Sequence, residues 1–250
     1  MPERSQKKII VINGSPKKDK SFTMTVTNAF VKGIEQEGGV AELINISDLD
    51  ITPCRGCLSC WGRTAGECVI KGDDIPMLRE KLKAADRIVI SFPLFFFGMP
   101  GMLKVAVDRL LGMLETYRGM MPSPDADLAS RMRYARDGQG IAVISSCGFS
   151  ESAAVFEPLR EQLELILGRG NYTAIFCPEL KALIDTGKGR KLPAYLAKVE
   201  TAGVTFGKEG KLDEATMAEL SKPPFMPETY RILTENFWKE QEKREGSDTE

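Results

Sequence analysis

The sequence predicts a doubly wound α/β fold: a five-stranded parallel sheet in the order 2-1-3-4-5, helices on both faces, and a helical C-terminal extension. Three observations carry this expectation. The short apolar runs are continuous rather than alternating, as in strands buried on both faces. Segments with helical spacing separate them, which implies right-handed βαβ units. Glycine and proline punctuate the ends of the runs.

Taken in order, Lys8–Asn13 (KIIVIN) is the first strand, closed by Gly14-Ser15-Pro16. Residues 22–38 place Met24, Val26, Ala29, Phe30 and Ile34 at helical spacing and stop at Gly38-Gly39. Ala41–Ile46 is the second strand, followed by a cysteine-bearing loop. Asp73-Asp74 then reads as an N-cap pair for a helix through Lys83. Arg87–Phe92 is the third strand, 101–115 a helix, and 116–139 a long surface connection or lid. Gly140–Ser146, Ser152–Leu167 and Tyr172–Cys177 supply the fourth strand, a helix and the fifth strand. Residues 1–180 thus form the main domain. Residues 181–250 form a helical extension packing on the core or on a partner subunit, with Tyr230, Leu233 and Phe237 on one face of its last helix.

The composition narrows the chemistry. At 250 residues, 42% hydrophobic and 28% charged, the chain is globular, and its net charge of −1 offers no field to attract nucleic acid or a membrane surface. There is no histidine, which excludes Ser-His-Asp hydrolases and every metal site with imidazole ligands. Chemistry carried by a cofactor, by carboxylates or lysines, or by cysteine survives. The N-terminus lacks a long apolar segment and a small-residue cleavage site, so a cytoplasmic location with reduced thiols is expected. The uncharged stretch Ile88–Leu103 contains Pro93, Gly98, Pro100 and Gly101 and falls short of the roughly 20 residues a spanning helix needs. It reads as a buried strand running into a loop.

Two loops stand out. Gly14–Thr23 joins the first strand to the first helix, where free N–H groups and the helix dipole favour a phosphate. Ser15, Ser21 and Thr23 add hydroxyls and Lys17 adds charge. A plain polar turn with Ser21 as helix cap is the alternative. The same stretch is one residue from a P-loop, but Asp19 replaces the second glycine and no strand ends in an aspartate suited to Mg²⁺. The second loop, Ser91–Pro100, carries Phe95-Phe96-Phe97 where a surface loop is normally polar. In a 2-1-3-4-5 sheet these two loops flank the topological switch point. A phosphate loop beside an aromatic slot suits a mononucleotide with a planar ring, with FMN the leading candidate; core or interface plugging is the alternative for the phenylalanines.

Val11–Lys17, then Ser91–Met99 leading to Lys104 and Asp108-Arg109, then Ser145–Phe149, together resemble the NADPH-dependent FMN reductase group of flavodoxin-like proteins. The resemblance spans roughly residues 7–180. It implies that Ser15, Lys17, Ser21, Phe22 and Thr23 hold the FMN phosphate. Pro93, Leu94, Phe95, Phe96, Phe97 and Gly98 would line the ring, and Ser146, Cys147 and Gly148 would close its other side. Asp19-Lys20 and the bulky Phe22 depart from the usual small residues of that loop. The resemblance also implies a homodimer or homotetramer, because such flat flavin sites are often completed by a second subunit.

Cys54-x2-Cys57-x2-Cys60-x7-Cys68 packs four thiols into the loop after the second strand. Three cysteines at i, i+3 and i+6 with a fourth further on suit one cubane, whereas structural zinc usually takes two separated knuckles. The spacing resembles that of iron–sulfur flavoproteins, which implies a [4Fe–4S] cluster relaying electrons to the flavin. Unmetallated thiols shaping the loop are the alternative. Cys177, at the end of a buried strand, reads as core. The expected activity is an FMN-dependent oxidoreductase drawing on NAD(P)H or a small redox protein and reducing a small-molecule acceptor, with no catalytic acid or base of its own. A non-enzymatic FMN carrier and a degenerate P-loop nucleotide binder are the alternatives.

Overall fold

The structure, a computed structural model, describes residues 6–115, 123–150 and 152–247. In chain order the elements are β1 (Lys7–Asn13), α1 (Phe22–Glu35), β2 (Gly39–Asn45), α2 (Ile75–Ala84), β3 (Arg87–Pro93) and α3 (Gly101–Arg109). They continue with α4 (Leu128–Arg131), β4 (Gly140–Ser146), α5 (Ser152–Leu167), β5 (Thr173–Cys177) and α6 (Leu180–Thr186), then α7 (Lys191–Glu209), α8 (Glu214–Leu220) and α9 (Pro227–Ser247). All strand pairs are parallel, in the expected order β2-β1-β3-β4-β5.

The strand pleat sorts the apolar runs into two layers. Ile10, Ile12, Ile88, Ile141 and Val143 pack in one layer with residues of α2, α3 and α5. Ile9, Val11, Val89, Ala142 and Ile144 pack in the other with residues of α1, α6 and α7. Burial on both faces explains why these runs never alternate with polar residues. Beyond residue 180, α7 lies along α1 so closely that a Cβ on Gly33 would stand 2.0 Å from the Glu200 carbonyl oxygen, and one on Gly203 2.0 Å from that of Phe30. Arg87, at the start of β3, fastens the far end of α7. Its guanidinium donates to the carbonyls of Phe206 (2.9 Å), Gly207 (3.0 Å) and Lys208 (3.2 Å), placing a cation where the helix dipole is negative. The open edge of β5 is covered as well: the Phe176 N–H reaches Ser221 Oγ at 3.1 Å, which blunts edge pairing.

The α1–α7 contact leads to an expected outcome. Gly203→Ala forces the two backbones apart and costs about 1–3 kcal/mol or more, a fall in Tm of roughly 2–12 °C for a chain of this size. Thermal denaturation followed by circular dichroism reads it. An unchanged Tm would mean that the helices do not approach this closely.

Three sequence expectations change. The helix over 101–115 ends at Arg109, and one 3-10 turn, Leu111–Met113, follows. This tighter path offers the Leu111 and Leu114 carbonyls to Trp61 Nε1, at 3.1 and 3.2 Å. Of the connection 116–139, residues 116–122 lie outside the described residues, and the remainder is anchored rather than a lid. Arg131 in α4 is fully buried and donates to the Leu165 carbonyl at 2.6 Å. Asp74 stands at the N-cap position of α2, yet its carboxylate makes no capping bond and accepts the Asp50 N–H at 2.8 Å. Asp73 retains the capping contact of the pair, its Oδ1 accepting the N–H of Ile75 at 3.3 Å, while its carboxylate turns inward to Arg109.

Candidate functional site at the carboxyl edge of the sheet

The loop after β1 is held from both sides. Asn13 is buried; its Oδ1 accepts the Ser15 N–H at 3.0 Å and its Nδ2 donates to Asn45 Oδ1 at 3.0 Å. The Gly14 N–H reaches the Ser91 carbonyl at 2.8 Å, tying the loop to β3. After a 3-10 turn at Lys18–Lys20 the chain enters α1 at Ser21, whose hydroxyl makes no capping hydrogen bond. The alternative of a plain turn capped by Ser21 is therefore not realised, and the first turn of α1 keeps N–H groups that this side chain does not satisfy. Ser15, Ser21 and Thr23 are buried, whereas Lys17 is exposed with Nζ 5.7 Å from the Phe22 ring centre.

The loop after β3 closes as a two-residue turn in which Phe95 and Gly98 exchange backbone hydrogen bonds of 3.1 and 3.0 Å. Its central residues, Phe96 (φ 49°) and Phe97 (φ 64°), are both left-handed, in a turn that normally takes Asn-Gly. Each such bulky residue costs of order 1–3 kcal/mol, and strain of this kind concentrates at ligand sites. Phe96 is 99% exposed, and Phe95, Phe97 and Phe149 are also exposed, which makes an apolar patch at the sheet edge. The Phe97 and Phe149 rings stack with centres 6.1 Å apart, joining the loops after β3 and β4.

Ser146 is the junction. Its carbonyl accepts the Leu94 N–H at 2.8 Å, and its hydroxyl shares a 2.6 Å hydrogen bond with Thr23. One residue thus joins the first turn of α1 to the ends of β3 and β4. Thr23 and Ser146 satisfy each other's hydroxyls, so their geometric role is to hold α1 against β4. Beside them, burial pushes the Cys147 thiol up to about 11, which keeps it protonated near neutral pH. The Gly148 carbonyl accepts the Tyr230 hydroxyl of α9.

Glu179 went unrecognised in the sequence. It is fully buried, left-handed (φ 54°), and accepts the Phe225 N–H through Oε2 at 3.0 Å, while Oε1 has no partner. Burial raises its pKa. No local pattern marks it, because its partner arrives from a turn far along the chain.

The cysteine loop leaves β2 near the first loop, and Lys18 pairs with Asp48 there. Its thiols gather elsewhere, in a small cleft that Cys54, Cys57, Cys60 and Cys68 line together with Arg109 and Leu111. Helix α3 runs nine residues from Gly101, beside the aromatic loop, to Arg109, which sets those two positions about 12 Å apart at 1.5 Å per residue. The cleft rests on a buried ion pair: Arg109 donates to both carboxylate oxygens of Asp73 and to the carbonyl of Thr52. Cys54 and Cys57 are exposed, while Cys60 and Cys68 are partly covered. Burial raises the Cys60 pKa, and the three neighbouring cysteines add to the shift. Among the described residues no group of three or more Cys, Asp or Glu side chains is arranged to hold one metal ion. Four sulfurs are a donor set that an iron–sulfur cluster can use.

The sequence profile of the NADPH-dependent FMN reductase family matches residues 7–134, just over half of the chain. An iron–sulfur flavoprotein of Methanocaldococcus jannaschii is 36% identical over 102 residues, 41% of this chain and 51% of its own length. One from Archaeoglobus fulgidus is also 36% identical over 102 residues, 48% of its length. The chain therefore spans about half the length of these relatives. An iron–sulfur flavoprotein of Clostridioides difficile is 25% identical over 186 residues, covering 69% of this chain and 80% of that protein. Two solved structures share the fold. An FMN-dependent NADH-azoreductase from Bacillus anthracis, in complex with FMN, has TM-score 0.55 at 20% identity over 81% of this chain and all of its own. An NAD(P)H:quinone oxidoreductase from Methanothermobacter marburgensis has TM-score 0.58 at 18% identity over 81% and 96%.

Proposed function

The chain belongs to the NADPH-dependent FMN reductase family, and from that premise we propose that it is an FMN-dependent oxidoreductase taking electrons from NAD(P)H. The observation that carries the proposal is the junction at Ser146, which brings the first turn of α1 and the ends of β3 and β4 to one point of the carboxyl edge. FMN, when bound, supplies the hydride and electron chemistry, and the protein supplies position and electrostatics.

The residues present fit that group. The first turn of α1, left uncapped by Ser21, would hold the phosphate, with Ser15, Lys17, Ser21, Phe22 and Thr23 around it. The exposed, strained Phe95–Phe97 turn, with Pro93, Leu94 and Gly98, would line the ring, and Ser146, Cys147 and Gly148 would close its other side. Protonated Cys147 stands there as a neutral group. No acid or base is assigned a proton-transfer role. The exposed phenylalanine patch also supports completion of the site by a second copy of the chain.

A [4Fe–4S] cluster on Cys54, Cys57, Cys60 and Cys68 is part of the proposal, supported by the four sulfurs lining one cleft and by the relatives named as iron–sulfur flavoproteins. It would supply one-electron chemistry. No membrane partner is invoked; among the described residues no helix is long and apolar enough to cross a bilayer.

The test is steady-state NADPH and NADH oxidation by anaerobically purified chain, with and without added FMN and with ferricyanide as acceptor. FMN-dependent turnover is expected, together with iron and acid-labile sulfide that are lost in Cys57→Ala. Retained FMN with no turnover, and reduction by a ferredoxin instead, would make the chain a carrier. Absence of iron under strict anaerobiosis would remove the cluster.

A further inference from the structure

We propose that Arg109 sets how readily a cluster on the four cysteines accepts an electron, by donating its Nε–H to the Cys68 sulfur; the role rests on the cluster reading above. The guanidinium carries five N–H groups in a rigid plane. Four are used: those of Nη1 on the Thr52 carbonyl and Asp73 Oδ2, and those of Nη2 on Asp73 Oδ1 and the Ile70 carbonyl. The fifth, on Nε, is buried and has no partner. A buried donor left unmade is costly, so it calls for a group that it meets.

Its place identifies that group. Nε lies on the same edge of the guanidinium as Nη2, and that edge meets the Ile70 carbonyl, two residues from Cys68. A second cleft, lined by Gly66, Lys71, Pro76 and Arg79 among others, gives the same answer. Cys68 and Arg109 are the two residues that it shares with the four-cysteine cleft, so they form the wall between the two. Burial lowers the Arg109 pKa, but Asp73 and then Cys68 raise it above its ordinary value. Arg79 and Arg133 also carry a buried Nε–H without a partner, yet neither lines the four-cysteine cleft. Arg55 and Asp108 are the other charged residues of that lining, and Asp108 pairs with Lys104.

The direction of the effect follows. On one-electron reduction, with the electron supplied by the flavin or by the redox protein of the reading above, a cluster gains one negative charge. No bond breaks and no proton moves. An N–H donated to a ligand sulfur stabilises the more negative state and so raises the reduction potential. Asp73 balances the charge of Arg109, which leaves the hydrogen bond rather than a bare cation to carry the effect.

The test is a redox titration of the anaerobically purified, cluster-loaded full chain, followed by EPR of the reduced cluster. Arg109→Lys keeps a cation opposite Asp73 and deletes the Nε–H. The equilibrium constant for cluster reduction should fall at least tenfold, about 59 mV for one electron. Arg79→Lys, which removes an orphaned Nε–H outside the cleft, should leave the potential unchanged. A second readout needs no change at Arg109: with arginine labelled by the heavy nitrogen isotope, pulsed EPR of the reduced wild-type cluster should show a coupling to arginine nitrogen that persists in Arg55→Lys. An unchanged potential in Arg109→Lys, or an equal fall in Arg79→Lys, overturns the role. So does a wild-type cluster with no arginine coupling, or one whose coupling disappears in Arg55→Lys. Iron and sulfide content of the wild type is read first; their absence removes the cluster itself, which distinguishes that failure from failure of the Arg109 role.

Discussion

Arg109→Ala is expected to lower Tm by about 6–20 °C, the consequence of losing about 3–5 kcal/mol when one partner of a buried ion pair is removed. The pair is fully enclosed: the Arg109 side chain is 0% exposed and that of Asp73 2%. Arg109 also donates to the Thr52 carbonyl and, at 3.4 Å, to that of Ile70, near the two ends of the cysteine loop. The substitution therefore strands a buried carboxylate and releases the loop together. Thermal denaturation monitored at several pH values separates the electrostatic part. Burial alone raises the Asp73 carboxyl, but the Arg109 guanidinium and the N–H groups of Thr52 and Ile75 hold it below the usual carboxylate range. A depressed folded-state pKa contributes stability that is present above the unfolded value of about 3.9 and is lost as pH falls through the folded one. The stability gap between wild type and Asp73→Asn should accordingly narrow below pH about 4. A gap that widened in acid would mean that the carboxylate is not stabilised by its partners.

The second large effect falls on the cofactor. Ser21→Asp should weaken FMN binding by about a hundredfold or more while riboflavin binding changes far less. Ser21 is buried, so the new carboxylate has to be held by the free N–H groups of the first turn of α1, where aspartate is as good an N-cap as serine. Its charge is another matter: two unit charges about 5 Å apart repel by about 3 kcal/mol at an effective dielectric near 20, and about 2.7 kcal/mol is a hundredfold in affinity. Flavin fluorescence titration reads both ligands. Equal losses for FMN and riboflavin would show damage to the loop as a whole, and no loss would place the phosphate elsewhere.

The sheet was legible in the sequence because its evidence is local. Ile9 to Ile12 and Ile141 to Ile144 are continuous apolar runs, and only a strand covered on both faces uses such a run. The site loops were legible for the opposite reason: Phe95-Phe96-Phe97 is apolar where exposure is expected. What stayed hidden depends on distance in space. The Asp73–Arg109 pair joins residues 36 apart, and neither carries a local sign of the other. Gly33 and Gly203 read as ordinary helical glycines until α7 is laid against α1. Helix length after Gly101 was overestimated because the apolar pattern through Leu114 continues, while the backbone tightens to present carbonyls to Trp61. The left-handed Phe96 and Phe97 also escape the sequence, since propensity assigns such a turn to asparagine and glycine. Likewise, spacing alone groups the four cysteines but does not say that their cleft borders the far end of α3.

Whether the carboxyl edge holds FMN through its phosphate and its ring is tested most directly by equilibrium titration of the flavin-free chain with FMN and then with riboflavin, at one salt concentration. Saturable one-to-one binding of FMN, at least tenfold tighter than riboflavin, is expected. Binding of neither flavin, or equal binding of both, would contradict it.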